Sequence, residues 1–249
     1  MRPLFANWSE VTVRLDSSPL IALFLDFDGT IAPIQPRPEL VRVHPSIRRA
    51  LAALAGRSRF RVWIISARRR ADVRARLRVA GVRYLGLYGW ERNTSVPPAN
   101  GPIVEVRTEL EAALPAHPHL WIEDKQHTVA VHYRGCPKPL RLIAEDRLRR
   151  AMEPWNGLLR MAPGKCVWDV VPRELGDKGA AVRRELAGLR QRALPVYVGD
   201  DLSDEAAFAS LSNGVTVCVG PHRRTRARYR VDGTGQVLQF LERLQAEFL

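Results

Sequence analysis

An apolar run, Leu20-Ile21-Ala22-Leu23-Phe24-Leu25, passes directly into Asp26-Phe27-Asp28-Gly29-Thr30. The run reads as a buried strand, and a core strand has no structural use for two carboxylates at its end. Side chains along a strand alternate, so Asp26 and Asp28 point the same way while Phe27 points into packing. At the carboxyl end of a parallel strand both acids face the crevice where α/β sheets bind ligands. Two carboxylates that close repel unless a cation joins them, and a hard, oxygen-seeking ion such as Mg²⁺ suits the pair.

The rest of the chain repeats the strand-then-helix rhythm. Strands are predicted at Leu20–Leu25, Arg61–Ile65, Tyr84–Leu87, Pro195–Val198 and Val215–Val219. Helices are predicted at Ser46–Ala55, Arg69–Val79, Lys178–Leu189, Ser203–Leu211 and Gly235–Phe248. Alternation of this kind gives an α/β fold around a mostly parallel sheet. Between about Glu91 and Lys165 the rhythm changes to helical stretches near Thr108–Leu114 and Pro139–Met152 and an alternating segment, Thr128–Arg134. Pro97-Pro98 and Pro163-Gly164 punctuate its ends. The organisation expected is a core over 1–90 and 166–249, interrupted by a smaller α+β domain over 91–165.

Further strand ends add polar groups to the same rim. Arg61–Ile65 delivers Ser66 and then Arg68, and Pro195–Val198 delivers Gly199-Asp200-Asp201-Leu202-Ser203-Asp204-Glu205. Asp177-Lys178-Gly179 opens a helix, so Lys178 stands where a helix N-terminus already favours anions. An acid pair, a hydroxyl, an ammonium and a second acid cluster suit phosphoryl transfer, whose barrier falls by positioning and by cancelling charge on the equatorial oxygens. Individually, Ser66 could cap the next helix and Asp204 and Glu205 could be ordinary first-turn acids.

The formal net charge is +13, and since Lys125, Lys138, Lys165 and Lys178 are the only lysines, 35 of the 39 basic residues are arginine. They crowd into Arg68–Arg78 and Arg223–Arg230 without any nucleic-acid-binding motif. The reading is solvated basic faces that steer an anionic substrate, with no specific nucleic-acid partner. The apolar run before Asp26 is far too short to span a membrane, so no membrane partner is expected. Met1–Glu10 lacks the apolar stretch of a secretion signal, which makes the cytoplasm the expected location. Cys136, Cys166 and Cys218 are isolated and are expected to be buried small hydrophobes.

In order along the chain, Asp26-Phe27-Asp28-Gly29-Thr30, Ser66, Lys178 and Gly199-Asp200-Asp201 resemble the four motifs of the haloacid dehalogenase superfamily of aspartate-nucleophile phosphatases. Within it the chain is similar to the trehalose-6-phosphate phosphatases, from about residue 20 onward. That likeness lies in Ile65-Ser66-Ala67-Arg68, Trp121–Lys125, Val131-His132-Tyr133-Arg134, Val170-Val171-Pro172, Asp177-Lys178-Gly179 and Gly199–Phe208. It departs from the usual pattern at Ala67, Tyr88, Gln126, Asp169 and Ser203.

The resemblance implies a Rossmann-like core carrying an α+β cap of the C2 type. It makes Asp26 the nucleophile and Asp28 the acid and base, with Ser66 and Lys178 binding the phosphoryl group. Mg²⁺ would be held by Asp26, Asp200 and the backbone carbonyl of Asp28, with Asp204 in support. Arg68, Asp169 and, from the cap, Glu123, Lys125 and Arg134 would bind the sugar, the cap closing over it. The substrate implied is trehalose 6-phosphate, supplied by a trehalose-6-phosphate synthase. Sucrose phosphate or a mannosyl-phosphoglycerate type of ester is the alternative, and a nucleic-acid binder on a disabled scaffold is a remoter one.

Overall fold

The computed structural model describes residues 1–92, 101–221 and 224–248; Pro97-Pro98 and Arg223 lie outside these. In chain order the described strands are β1 (Arg2–Pro3), β2 (Ile21–Leu25), β3 (Phe60–Ile65), β4 (Arg83–Leu85), β5 (Trp121–Asp124), β6 (Val129–His132), β7 (Leu159–Gly164), β8 (Val167–Pro172), β9 (Leu194–Gly199), β10 (Val215–Val219) and β11 (Tyr229–Val231). The α-helices are α1 (Trp8–Asp16), α2 (Pro45–Ala55), α3 (Arg70–Leu77), α4 (Gly101–Ala113), α5 (Lys138–Met152), α6 (Lys178–Ala187), α7 (Glu205–Ser210) and α8 (Thr234–Phe248). The chain divides into two compact units, Met1–Arg92 with Gly176–Leu249, and Asn93–Leu175.

The first unit is built on a parallel sheet of 7 strands in the order β1-β11-β10-β9-β2-β3-β4. β2 is central and wholly buried, and its alternate residues enter two different cores. Ile21, Leu23 and Leu25 pack with residues of α1, α2, α3 and α8, while Ala22 and Phe24 pack with Trp63, Tyr197 and residues of α6 and α7. A strand covered on both faces must be apolar throughout, which is why the Leu20–Leu25 run carries no polar residue. From β2 the chain proceeds to β3 and β4 on one side, and later to β9, β10 and β11 on the other. The strand order therefore reverses at β2, and the carboxyl ends of β2 and β9 form the switch-point crevice.

Residues ahead of the first predicted strand are docked. β1 pairs with β11, and the buried side chains Leu4, Val11 and Leu15 join the core. The described part of the arginine-rich stretch, 224–230, is not simply a solvated face: it runs into β11, where Tyr229 and Val231 are buried. The cysteine expectation also needs correcting. Cys218 is buried in β10, but Cys136 and Cys166 are half-exposed, and all three are free thiols.

The second unit holds an antiparallel sheet of 4 strands, β5-β6-β8-β7, with α4 and α5. Its own core joins Ile103, Val106 and Leu110 of α4 to Ala144, Leu148 and Ala151 of α5 and to Val129, Val131 and Val170 of the sheet. β8, read from sequence as the start of the second core segment (166–249), is hydrogen-bonded into this sheet between β6 and β7. The reason is the β7–β8 hairpin, which a boundary placed at Pro163-Gly164 would cut at its turn. No described helix is long and apolar enough to cross a membrane.

Candidate active site

Adjacent strands bring the acids together. Leu25 of β2 lies in register with Val198 of β9, and the Asp26 N–H donates to the Val198 carbonyl at 2.9 Å. The residue after β2 is thus Asp26 and the residue after β9 is Asp200, both buried. Gly29 makes the approach sterically open: it has a φ of +81°, and a Cβ there would fall 2.2 Å from Asp200 Oδ2. Only glycine combines that conformation with that lack of bulk. Asp26, Asp200 and Asp204 each present a carboxylate oxygen within 4.8 Å of the others.

Lys178, the first residue of α6, reaches into this group. Asp177 caps the helix by accepting from the Ala180 N–H at 2.7 Å. The Lys178 ammonium, itself buried, donates to Asp26 Oδ1 and to Asp204 Oδ1, each at 2.7 Å. Burial alone would favour the neutral amine, but Asp204 and Asp26 more than reverse it and raise the Lys178 pKa. Asp26 moves the other way from an ordinary carboxylate: burial raises its pKa well above the usual value, and repulsion from Asp204 and Asp200 adds to that against the pull of Lys178.

Asp204 is a first-turn acid that also belongs to the carboxylate cluster. It closes a capping box with Asp201, accepting from the Asp201 N–H at 2.8 Å. It also takes Lys178 and the hydroxyl of Tyr197, 2.7 Å away. Tyr197 was missed in the sequence, where an aromatic residue in an apolar strand reads as core. Burial and the neighbouring Asp204 raise its pKa, so it stays a neutral donor.

Asp28 does not join the three clustered carboxylates. The Arg68 guanidinium grips it as a fork, Nε to Oδ2 at 2.6 Å and Nη2 to Oδ1 at 2.8 Å. Arg68 Nη1 turns to Asp72 at 2.8 Å, and Asp72 also accepts from Arg76 Nε at 2.8 Å. Ser66 is buried, and its hydroxyl accepts the Arg68 N–H at 3.1 Å in a local turn; it does not cap α3, whose cap position is Arg69.

The remaining candidates lie in the second unit. Lys125 and Asp169, both buried, form an ion pair at 2.7 Å. Glu123 on β5 lies 2.8 Å from His132 Nε2 on β6, and the His132 ring stacks on Trp121 at 3.9 Å. Arg134 stands elsewhere: it is exposed and donates to the Lys165 carbonyl at 2.8 Å in the β7–β8 turn.

The clustered residues fit a divalent cation. Three buried carboxylates each present an oxygen within 4.8 Å of the others, and the donor set is hard oxygen, the set Mg²⁺ prefers. A cation there would also offset the repulsion that raises Asp26.

The sequence profile of the trehalose-phosphatase family matches residues 24–234. A Mycobacterium tuberculosis protein described as an uncharacterized glycosyl hydrolase is 32% identical over 91% of this chain and 18% of its own length. A trehalose-phosphate phosphatase of Mycolicibacterium paratuberculosis is 31% identical over 90% of this chain and 61% of its own. The chain thus spans less than two thirds of these relatives. Among solved structures, the C-terminal domain of the Candida albicans trehalose-6-phosphate phosphatase superposes with a TM-score of 0.81 at 22% identity, covering 96% of this chain and 97% of that one. That likeness is one of fold: a parallel α/β core with an inserted α+β unit.

Proposed function

Because the chain belongs to the trehalose-phosphatase family, we propose that it is a cytoplasmic, Mg²⁺-dependent phosphatase that hydrolyses trehalose 6-phosphate to trehalose and inorganic phosphate. The observation that carries the reading is the gathering of Asp26, Asp200, Asp204 and Lys178 at the carboxyl ends of β2 and β9. No structural requirement of the core calls for three buried carboxylates there, whereas phosphoryl transfer uses such a group.

In the proposed reaction an Asp26 oxygen attacks phosphorus and the bond from phosphorus to the sugar oxygen breaks, leaving an aspartyl-phosphate. Asp28 gives its proton to the departing sugar oxygen, then takes one from the water that attacks the aspartyl-phosphate. That second attack releases phosphate and restores Asp26. Lys178 and the Ser66 hydroxyl bind the phosphoryl oxygens. Mg²⁺, held by Asp26, Asp200 and the Asp28 carbonyl with Asp204 in support, would supply positive charge for those oxygens. Arg68 would exchange Asp28 for sugar hydroxyls, which leaves the Asp28 carboxyl to meet the departing sugar oxygen. Recognition of the sugar is assigned to Arg68 and, in the second unit, to Glu123, Lys125, Arg134 and Asp169. The substrate would be supplied by a trehalose-6-phosphate synthase.

Phosphate release from a panel of sugar phosphates, by wild type and Asp26→Asn, with and without Mg²⁺, tests the proposal. Turnover of trehalose 6-phosphate that is lost in Asp26→Asn and without Mg²⁺ is expected. Brisk turnover of sucrose phosphate beside none of trehalose 6-phosphate would reject the substrate, and full activity of Asp26→Asn would reject the chemistry.

A further inference from the structure

One buried acid of the first unit has no part in the reaction just proposed. Glu91, which follows the turn after β4, is 5% exposed. Its Oε2 accepts the backbone N–H of Arg70 at 2.6 Å, and its Oε1 accepts from Arg69 Nε at 3.2 Å and Nη2 at 3.0 Å. Arg70 is the first residue of α3, and Arg69, at the cap position, contributes no side-chain cap bond. Glu91 therefore supplies, from 21 residues away in the chain, an acceptor for one of the N–H groups that a helix start leaves without an intrahelical partner. Its negative charge also lies at the positive end of the helix dipole.

The same turn clamps the segment just ahead of α3. The Leu87 N–H donates to the Arg68 carbonyl and the Tyr88 N–H to the Ser66 carbonyl, both at 2.9 Å. To do so Leu87 and Tyr88 adopt positive φ, +47° and +61°, a conformation that side-chain-bearing residues hold only when surrounding bonds impose it. Here those bonds are the reciprocal pair between Gly86 and Glu91, N–H to carbonyl at 2.9 and 3.0 Å. Gly86 is the clearance for the carboxylate: a Cβ there would lie 2.2 Å from the Arg70 nitrogen and 2.6 Å from Glu91 Oε2. Ser66 to Arg70 is thus fixed from one side by a strained turn and from its far end by Glu91.

We infer that Glu91 is a positioning residue for phosphate binding: by anchoring Arg69 and the first N–H of α3 it holds the Ser66–Arg68 segment, and so aims the Ser66 hydroxyl at the phosphoryl group, and with it the Arg68 guanidinium at the sugar. The inference rests on the proposed reaction for the roles of Ser66 and Arg68, not for the geometry. A purely structural Glu91 would change stability alone. A positioning Glu91 changes how the site holds phosphate.

The test is Glu91→Gln, an isosteric change whose amide oxygen can still accept from Arg70 while the charge facing Arg69 is lost. Wild type and variant are compared with p-nitrophenyl phosphate, with trehalose 6-phosphate, and for competitive inhibition by inorganic phosphate, alongside thermal unfolding. The expected result is a folded variant with kcat/KM lower by about 10-fold or more on either ester and a phosphate Ki raised by a similar factor, the scale on which residues that orient a site act. Glu91→Ala, which removes both acceptors, should lose more, on the order of 100-fold. Kinetic constants and phosphate Ki unchanged in Glu91→Gln, whatever its melting temperature, would overturn the inference. Trehalose 6-phosphate untouched by wild type would instead overturn the substrate assignment, and the variant ratio on p-nitrophenyl phosphate would still decide Glu91.

Discussion

The ammonium of Lys178 lies 2.7 Å from an Asp26 oxygen and equally close to Asp204, with all three side chains almost wholly removed from water. A buried ion pair owes its tolerance to both partners, and deleting one leaves a desolvated charge with no counterpart. Here the deletion exposes two carboxylates to each other. Lys178→Met, measured by urea unfolding without divalent ions, should lose about 3–5 kcal/mol of stability. Phosphate release should disappear with it. A variant as stable as wild type would mean that the carboxylates do not depend on the ammonium.

The acid cluster predicts a cation that stabilises the fold. A ligand bound only by the native state contributes about 2.7 kcal/mol when present at 100 times its Kd. For a chain of this size that raises the melting temperature by about 5–10 °C. Wild type should show such a rise when Mg²⁺ is added after chelation, and Asp200→Asn should show little or none. Equal rises in both proteins would remove Asp200 from the cation site.

How much of this was legible in the sequence depends on whether a residue had a local reason to be where it is. Asp26 and Asp200 close strands that are otherwise apolar, so their chemistry stands out, and the structure gathers them as strand order requires. Tyr197 and Glu91 gave no such signal. An aromatic residue fits a buried strand on packing grounds alone, and an acid after a short strand reads as surface, because its partners Arg69 and Arg70 are separated from it by α3, β4 and a turn. Docking of the first residues was equally hidden, since β1 has two residues and draws its order from β11. The arginine-rich stretch misled for the converse reason: its charges obscured Tyr229 and Val231, whose alternation is too brief to register as a strand.

That same N-terminal docking carries a pH dependence. Arg2 donates to both Glu10 oxygens, at 2.6 and 2.9 Å, and the Tyr229 hydroxyl donates to Glu10 at 2.8 Å. The hydrogen bond from Arg2, then that from Tyr229, hold the Glu10 pKa down to about 2 from an ordinary 4.5. A carboxyl whose pKa is depressed on folding stabilises the native state above its unfolded value, and that contribution fades as pH falls through the folded one. The Leu4 amide, bonded to the Arg230 carbonyl, reports the docking by hydrogen exchange. Wild type should protect it better than Glu10→Gln above about pH 4.5, with the difference closing toward pH 2 and shrinking in high salt. A difference that is flat with pH would show that ionised Glu10 is not what docks the segment.

Lys125 and Asp169 separate a structural from a recognition role within the second unit. Their 2.7 Å ion pair is buried on both sides, and Asp169 stands opposite Ala130 in the sheet. If the pair serves only the fold, replacing both residues by apolar ones should cost little, because the cost of desolvating the two charges goes with them. Lys125→Met alone should then lose about 3–5 kcal/mol, and Lys125→Met with Asp169→Leu markedly less. If the pair also binds sugar, the double variant should recover stability but not the KM for trehalose 6-phosphate, while hydrolysis of p-nitrophenyl phosphate stays near wild type. Recovery of both stability and KM would assign the pair to the fold alone and withdraw Lys125 and Asp169 from the substrate site.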